Sequence, residues 1–175
     1  MASTYTLISS NVLSSSAASV TFSSIPSTYT DLVLRISART DRVTNRTSII
    51  LIPNNDTDKT SITFLRGDGA SASSGAYTVP GGIDLLVGAV NGANQTANSF
   101  DSAEIYIPNY AGSTKKPISS FNVSEQNAAS TDVQISAVAG LYTQTTAISS
   151  LFIKPIDSVN FVLGSSFYLY GIKNS

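Results

Sequence analysis

Through much of this chain every second residue is apolar, and clusters of Pro, Gly and Asn interrupt the alternation. Asp31-Leu-Val-Leu-Arg-Ile-Ser37 shows the pattern most cleanly. Leu32, Leu34 and Ile36 fall on one face, Arg35 and Ser37 on the other. A period of two suits a strand with one side in a core, because successive side chains leave opposite faces of the backbone. No stretch carries a convincing apolar stripe of helical period, so the chain is constrained to pair strands.

Strand signals run from end to end. Residues 5–8 and 19–22 open the series, the second with Val20 and Phe22 on one face. Residues 48–52 are apolar on both faces and stop at Pro53-Asn-Asn; residues 62–65 run into Arg66-Gly-Asp-Gly69. Residues 67–82 are rich in Gly, Ala and Ser and predict a flexible excursion at one edge. Residues 83–87 fit a strand or a short helical turn. Residues 102–107 end at Pro108-Asn109, and in residues 118–125 the inward parity shifts between Ile118 and Phe121, which predicts a bulge. Val133, Ile135, Ala137, Ala139 and Leu141 then share a face, and residues 148–153 follow. Residues 161–172 read as one long closing strand, apolar on both sides, with Phe167 and Leu169 inward. Such a strand is either central and covered or part of an oligomer interface. About ten strands punctuated by turns predict an all-β fold, a single antiparallel β-sandwich over residues 1–175, jelly-roll-like.

Composition narrows the chemistry. With no cysteine and no histidine, disulfides, thiol nucleophiles, zinc clusters and His-based triads are excluded. Charged residues are 12% of the chain, about half the share usual in soluble domains. A surface of hydroxyls and amides repels its neighbours weakly and suits packing against other subunits. A net charge of −1 argues against nucleic acid as a partner. Arg35, Arg39, Arg42, Arg46 and Arg66 are interleaved with Asp31, Asp41, Asp56, Asp58 and Asp68, a mixture suited to solvated loops and inter-subunit ion pairs. The opening Met1-Ala-Ser-Thr carries no signal-peptide pattern, and no apolar run reaches the length of a membrane span. The expectation is synthesis in a cytoplasm with no membrane insertion.

Several motifs have a functional and a plain reading. Arg66-Gly67-Asp68 matches an integrin-adhesion triplet, but Gly and Asp make turns cheaply and the turn is the better reading. Asn54, Asp56 and Asp58 alternate like calcium ligands, yet Lys59 stands where the loop needs glycine and Leu65 where it needs a bidentate acid. Sequons at Asn45, Asn55, Asn94 and Asn122 are expected by chance in so Asn/Ser/Thr-rich a chain. Glu104 has no partner acid in view for glycosidase work. No catalytic residue, cofactor or metal ligand is assigned. Among the aromatics, Phe22, Phe64, Phe121, Phe152, Phe161 and Phe167 have core parity. Tyr29, Tyr106, Tyr110, Tyr142, Tyr168 and Tyr170 lie at strand ends or on the opposite face. Tyr106, Tyr110, Tyr168 and Tyr170 are the candidate interface residues.

Three segments carry a resemblance: Phe22-Ser-Ser-Ile25-Pro26-Ser-Thr-Tyr29-Thr-Asp-Leu32; Ile105-Tyr-Ile-Pro-Asn-Tyr-Ala111 with Lys115 and Lys116 following; and Phe161-Val-Leu-Gly-Ser-Ser-Phe-Tyr-Leu-Tyr-Gly-Ile172. Together they resemble small structural proteins of tailed phages, especially marine and cyanobacterial ones, of virion, head-decoration or tail-fibre-like type. The resemblance implies a non-enzymatic virion structural protein. Such a protein self-associates as a homotrimer and decorates or cements the capsid surface, or forms part of the tail. Its implied partners are other copies and virion proteins such as the major capsid protein, and its place is the virion, assembled in the host cytoplasm. The alternative is a carbohydrate-binding receptor-recognition module of a tail or head fibre. It would read a host surface glycan with tyrosines and the loop residues Asn54, Asp56 and Asp58.

Overall fold

A computed structural model describes residues 4–78, 85–125 and 133–173. Twelve strands are found among them: β1 (Tyr5–Val12), β2 (Val20–Phe22), β3 (Asp31–Ala38), β4 (Arg46–Pro53), β5 (Thr60–Gly67), β6 (Ala72–Tyr77), β7 (Leu85–Asn91), β8 (Asp101–Ile107), β9 (Lys116–Ser124), β10 (Gln134–Tyr142), β11 (Leu151–Pro155) and β12 (Ser166–Ile172). They form two antiparallel sheets in a sandwich-like arrangement. The large sheet has eight strands in the order β1-β12-β3-β8-β9-β10-β5-β6; the small one has four, β2-β11-β4-β7. Among the described residues the sheets do not curl into a closed barrel.

The core lies between the sheets. The large sheet contributes Leu32, Leu34, Ile36, Ile105, Phe167 and Leu169; the small sheet contributes Ile49, Leu51, Val87, Leu151 and Ile153, and all are buried. Phe161 and Phe167 meet edge to face at 5.0 Å between ring centres. This is the parity read from β3, where Leu32, Leu34 and Ile36 point inward and Arg35 and Ser37 outward.

Local differences from the sequence-based expectation have physical causes. Part of the predicted excursion is β6, which pairs with β5 over Ile62↔Tyr77 to Gly67↔Ala72; residues 79–82 lie outside the described residues. The hairpin closes because the Asp68 carboxylate accepts the Ala70 and Ser71 N–H groups at 3.0 and 2.7 Å, which also lowers its pKa. Arg66-Gly67-Asp68 is therefore a strand end and an Asx turn. The 83–87 ambiguity resolves to strand from Leu85 onward, with 83 and 84 outside the described residues. Residues 161–172 are not one strand. Phe161 bridges Ala17 and Thr40, the backbone turns at Gly164 (φ 87°), and β12 starts at Ser166.

β12 is flanked by β1 and β3, with Phe167 and Leu169 buried as expected. At Gly171 an added Cβ would lie 2.3 Å from the Tyr29 ring, so glycine is what lets that ring lie on the strand backbone and cover the core's end.

Candidate interaction face

β9 explains the surface. No bulge interrupts it; pairing with β10 is continuous from Lys116↔Tyr142 to Ser124↔Gln134. The inward residues are Lys116, Ile118, Ser120, Asn122 and Ser124, so the parity set by Ile118 holds and Phe121 points out. The polar inner positions have work to do. β7 is the edge of the small sheet, and its outward N–H and C=O groups would be buried without a partner strand. β9 side chains take that strand's place. The Ser120 hydroxyl donates to Val87 O, and the Asn122 amide donates to Ala89 O at 2.7 Å. Asn122 Oδ1 accepts the Ala89 N–H at 3.0 Å, and the Ser124 hydroxyl donates to Asn91 Oδ1 at 3.1 Å. Asn122 occupies the space a side chain at position 88 would need, 2.6 Å from an added Cβ, and Gly88 takes φ 144° beside it.

With the inner positions so used, the apolar residues of β9 and β10 face outward. On β10 the inner series is Gln134, Ser136, Val138, Gly140 and Tyr142. The alternating Ile135, Ala137, Ala139 and Leu141 lie on the outer face of the large sheet. Cross-strand pairing assembles rows on that face. One runs Arg35, Glu104, Phe121, Ala137, Leu65, Ser74; the next runs Val33, Tyr106, Ser119, Ala139, Thr63, Ala76. Exposed apolar side chains cluster there: Leu65 is 64% exposed, Phe121 52%, Ile135 49% and Tyr106 36%. Small neighbours leave hollows beside the Phe121 ring. One of about 380 Å³ lies toward Tyr106, Ser119 and Ala139, and one of about 370 Å³ toward Ile135, Gly67 and Ala72. Arg35 and Glu104 form an ion pair within these rows at 2.8 Å. Isolated exposed apolar residues are ordinary; a contiguous uncharged patch marks a contact surface.

Three of the four candidate tyrosines lie on this face. Tyr106 donates its hydroxyl to Asp31 at 2.8 Å. Tyr168 and Tyr170 are half-buried on β12; the Tyr170 ring lies 6.4 Å from that of Tyr5 and 6.0 Å from the Arg35 guanidinium. Tyr110 is different. It is fully buried, packs in the core and donates its hydroxyl to Pro26 O, so it is a plug of the sandwich and not a surface residue. Tyr142 is likewise buried, hydrogen-bonded to Asp56 and pushed up to about 12 by burial and that carboxylate. Phe22, Phe161 and Phe167 are in the core as expected, whereas Phe64 and Phe152 are half-buried and Phe121 is exposed.

The loop that suggested calcium or sugar is tied to its own chain. Asn54 Oδ1 accepts the Ser149 N–H at 2.8 Å and its amide donates to Ala147 O at 2.9 Å, while Asp56 holds Tyr142. Among the described residues no group of three His, Cys, Asp or Glu side chains could hold a metal ion.

Sequence reasoning missed buried polar groups at both ends of the sandwich, Arg39 and Asp101 at one and Lys116 at the other. Arg39, expected in a solvated loop, is buried and donates to Thr96 O at 2.6 Å and Gln95 O at 2.9 Å, clamping the 93–99 loop. Lys116 is buried with its ammonium on Thr145 O and Thr146 O at 2.8 and 2.6 Å, and desolvation lowers its pKa. Asp101 accepts the Glu125 N–H at 3.0 Å, while its second oxygen is buried without a hydrogen-bond partner. No sequence signal distinguishes these side chains from surface charges. No family model matches the chain, and no curated protein matches it.

Proposed function

We propose that this chain is a non-enzymatic structural protein of a tailed-phage virion. It self-associates and decorates or cements the capsid surface, or forms part of the tail. The observation that carries the reading is the outer face of the large sheet, where Leu65, Phe121, Ile135 and Tyr106 are exposed together beside the Arg35–Glu104 ion pair, with Asp31 buried under Tyr106 and Arg66 at the rim. Such a face is costly to leave in water and gains by being covered, on the order of 1.5–3 kcal/mol for each large side chain fully buried. On a symmetric shell, modest contacts of this kind multiply through multivalency. The reading rests on the sandwich and its open face and does not require the curled barrel of a jelly roll.

The phage assignment comes from the three segments quoted above, and Tyr29, Tyr106, Tyr168 and Tyr170 within them have the places just described. A glycan-binding module would have to use other residues than Asn54 and Asp56, whose side chains are engaged with 147–150 and Tyr142. Mass spectrometry of purified particles from cells producing the chain tests the proposal. The expected result is the chain in fixed ratio to the other virion proteins; a chain confined to the particle-free fraction would overturn it.

A further inference from the structure

We infer that the outer face of the large sheet pairs with the same face of a second copy, each Phe121 ring seated in the other copy's hollow between Tyr106 and Leu65. The inference rests on the self-association half of the proposed function and not on the virion half.

Four observations select a second copy as the occupant. The first is charge. The rows around Phe121 present Ser, Thr, Ala and apolar side chains, and Arg35 and Glu104 are already paired within the copy at 2.8 Å. Arg66 reaches only the second hollow, so a strongly acidic or basic partner finds no complement in the rows around Phe121, whereas an equally uncharged face does, and the internal ion pair can be approached without stranding either charge.

The second is shape. A projecting ring and a hollow of about 380 Å³ lie one row apart on adjacent positions of the same strands. A two-fold axis lying in the interface and crossing the strands between the Phe121 row and the Ser119 row exchanges them. Each ring then fills the other copy's hollow, over a floor of Ser119, Ala137 and Ala139. Knob and hole on one surface, exchanged by a two-fold, are the requirement of an isologous contact.

The third is extent. Eight strands at about 4.8 Å spacing and about 3.3 Å per residue give the sheet an outer face on the order of 800 Å². A stable protein–protein contact buries about 800 Å² on each partner. The face is large enough to hold a pair with no further surface.

The fourth is closure. Sheets stack face to face about 10 Å apart, and a single face opposed to itself is satisfied by two copies. A three-fold ring needs two different complementary patches. The homotrimer expected from the sequence resemblance is therefore replaced, for this face, by a two-fold pair. Such pairs remain free to assemble further through their edges.

Sedimentation equilibrium on four forms tests the inference: the wild type, Phe121→Asp, Ala137→Arg and the off-face control Val43→Asp, at a loop position 78% exposed. The wild type and the Val43 variant should sediment as dimers. Phe121→Asp and Ala137→Arg should each weaken the dimer at least about 30-fold, since one removes the central knob for a charge and the other plugs the hollow's floor. Both sites point away from the core, so circular dichroism should be unchanged. If the Phe121 variant does not fold, the Ala137 variant decides. A wild type that is monomeric at high concentration overturns the pairing, and so does a dimer indifferent to both face variants or a trimer. In the last two cases self-association stands and only the face is wrong. A monomer that is nevertheless present in purified particles overturns this inference and leaves the virion proposal intact.

Discussion

Replacing Asn122 with alanine should lower the unfolding free energy by on the order of 3 kcal/mol, although the residue forms no part of the apolar core. Its carboxamide does the work of a missing strand. It accepts the Ala89 N–H at 3.0 Å and donates to Ala89 O at 2.7 Å and Ser102 O at 3.0 Å, joining the edge of the small sheet to the large one. Alanine would leave a buried donor and a buried acceptor on Ala89 with no partner, each costing about 1–3 kcal/mol. The Gly88 backbone, shaped around that side chain, would border a cavity. Aspartate at the same position should be no better, because it removes the amide donor and adds a buried charge. Chemical denaturation of the two variants checks both, with a near-neutral Asn122→Ala as the contrary result.

The second large effect is a dependence on pH. Asp101 is 3% exposed, and burial raises its pKa from 3.8 to about 6 against the lowering pull of the Glu125 N–H, Ser124 and Arg39. A carboxyl raised in the fold binds its proton more tightly folded than unfolded. Its favourable contribution is therefore complete below about pH 3.8 and is lost as pH rises through about 6. Above that window the ionised, buried carboxylate costs about 3 kcal/mol relative to the acid form. Asp101→Asn retains an acceptor for the Glu125 N–H and carries no charge. It should raise stability at pH 8 by on the order of 2 kcal/mol and flatten the pH 4–6 slope. Thermal or urea unfolding across that range, wild type against variant, gives the slope directly. Equal slopes would contradict the assignment.

The sandwich was legible in the sequence where one side of a strand is plainly greasier than the other. Leu34 to Ser37 of β3 and Ser102 to Ile107 of β8 alternate apolar against charged or hydroxyl side chains, and their parity could be read at once. β9 and β10 could not be read that way. Ile118 votes for one face and Phe121 and Val123 for the other, and β10 alternates with its apolar residues on the outside. Parity there is decided by β7, whose open edge needs Ser120, Asn122 and Ser124 beneath it. That need is non-local, and no window around residue 121 contains it. The same reasoning separates the tyrosines. Tyr106, Tyr168 and Tyr170 alternate on strands and their face could be assigned. Tyr110 follows a turn after β8, and its burial depends on where Pro26 comes to rest.

We infer that the outer face of the large sheet is a contact surface between copies. The chain contains no cysteine, so one introduced thiol reports on one place. Ala137→Cys sets a thiol beside Phe121, and Val43→Cys sets one in an exposed loop away from the face. Maleimide labelling rates should match in dilute protein. As concentration rises, the thiol at 137 should become protected while that at 43 reacts as before. If position 137 labels at the same rate as position 43 at every concentration, the face is open to water and the claim is wrong.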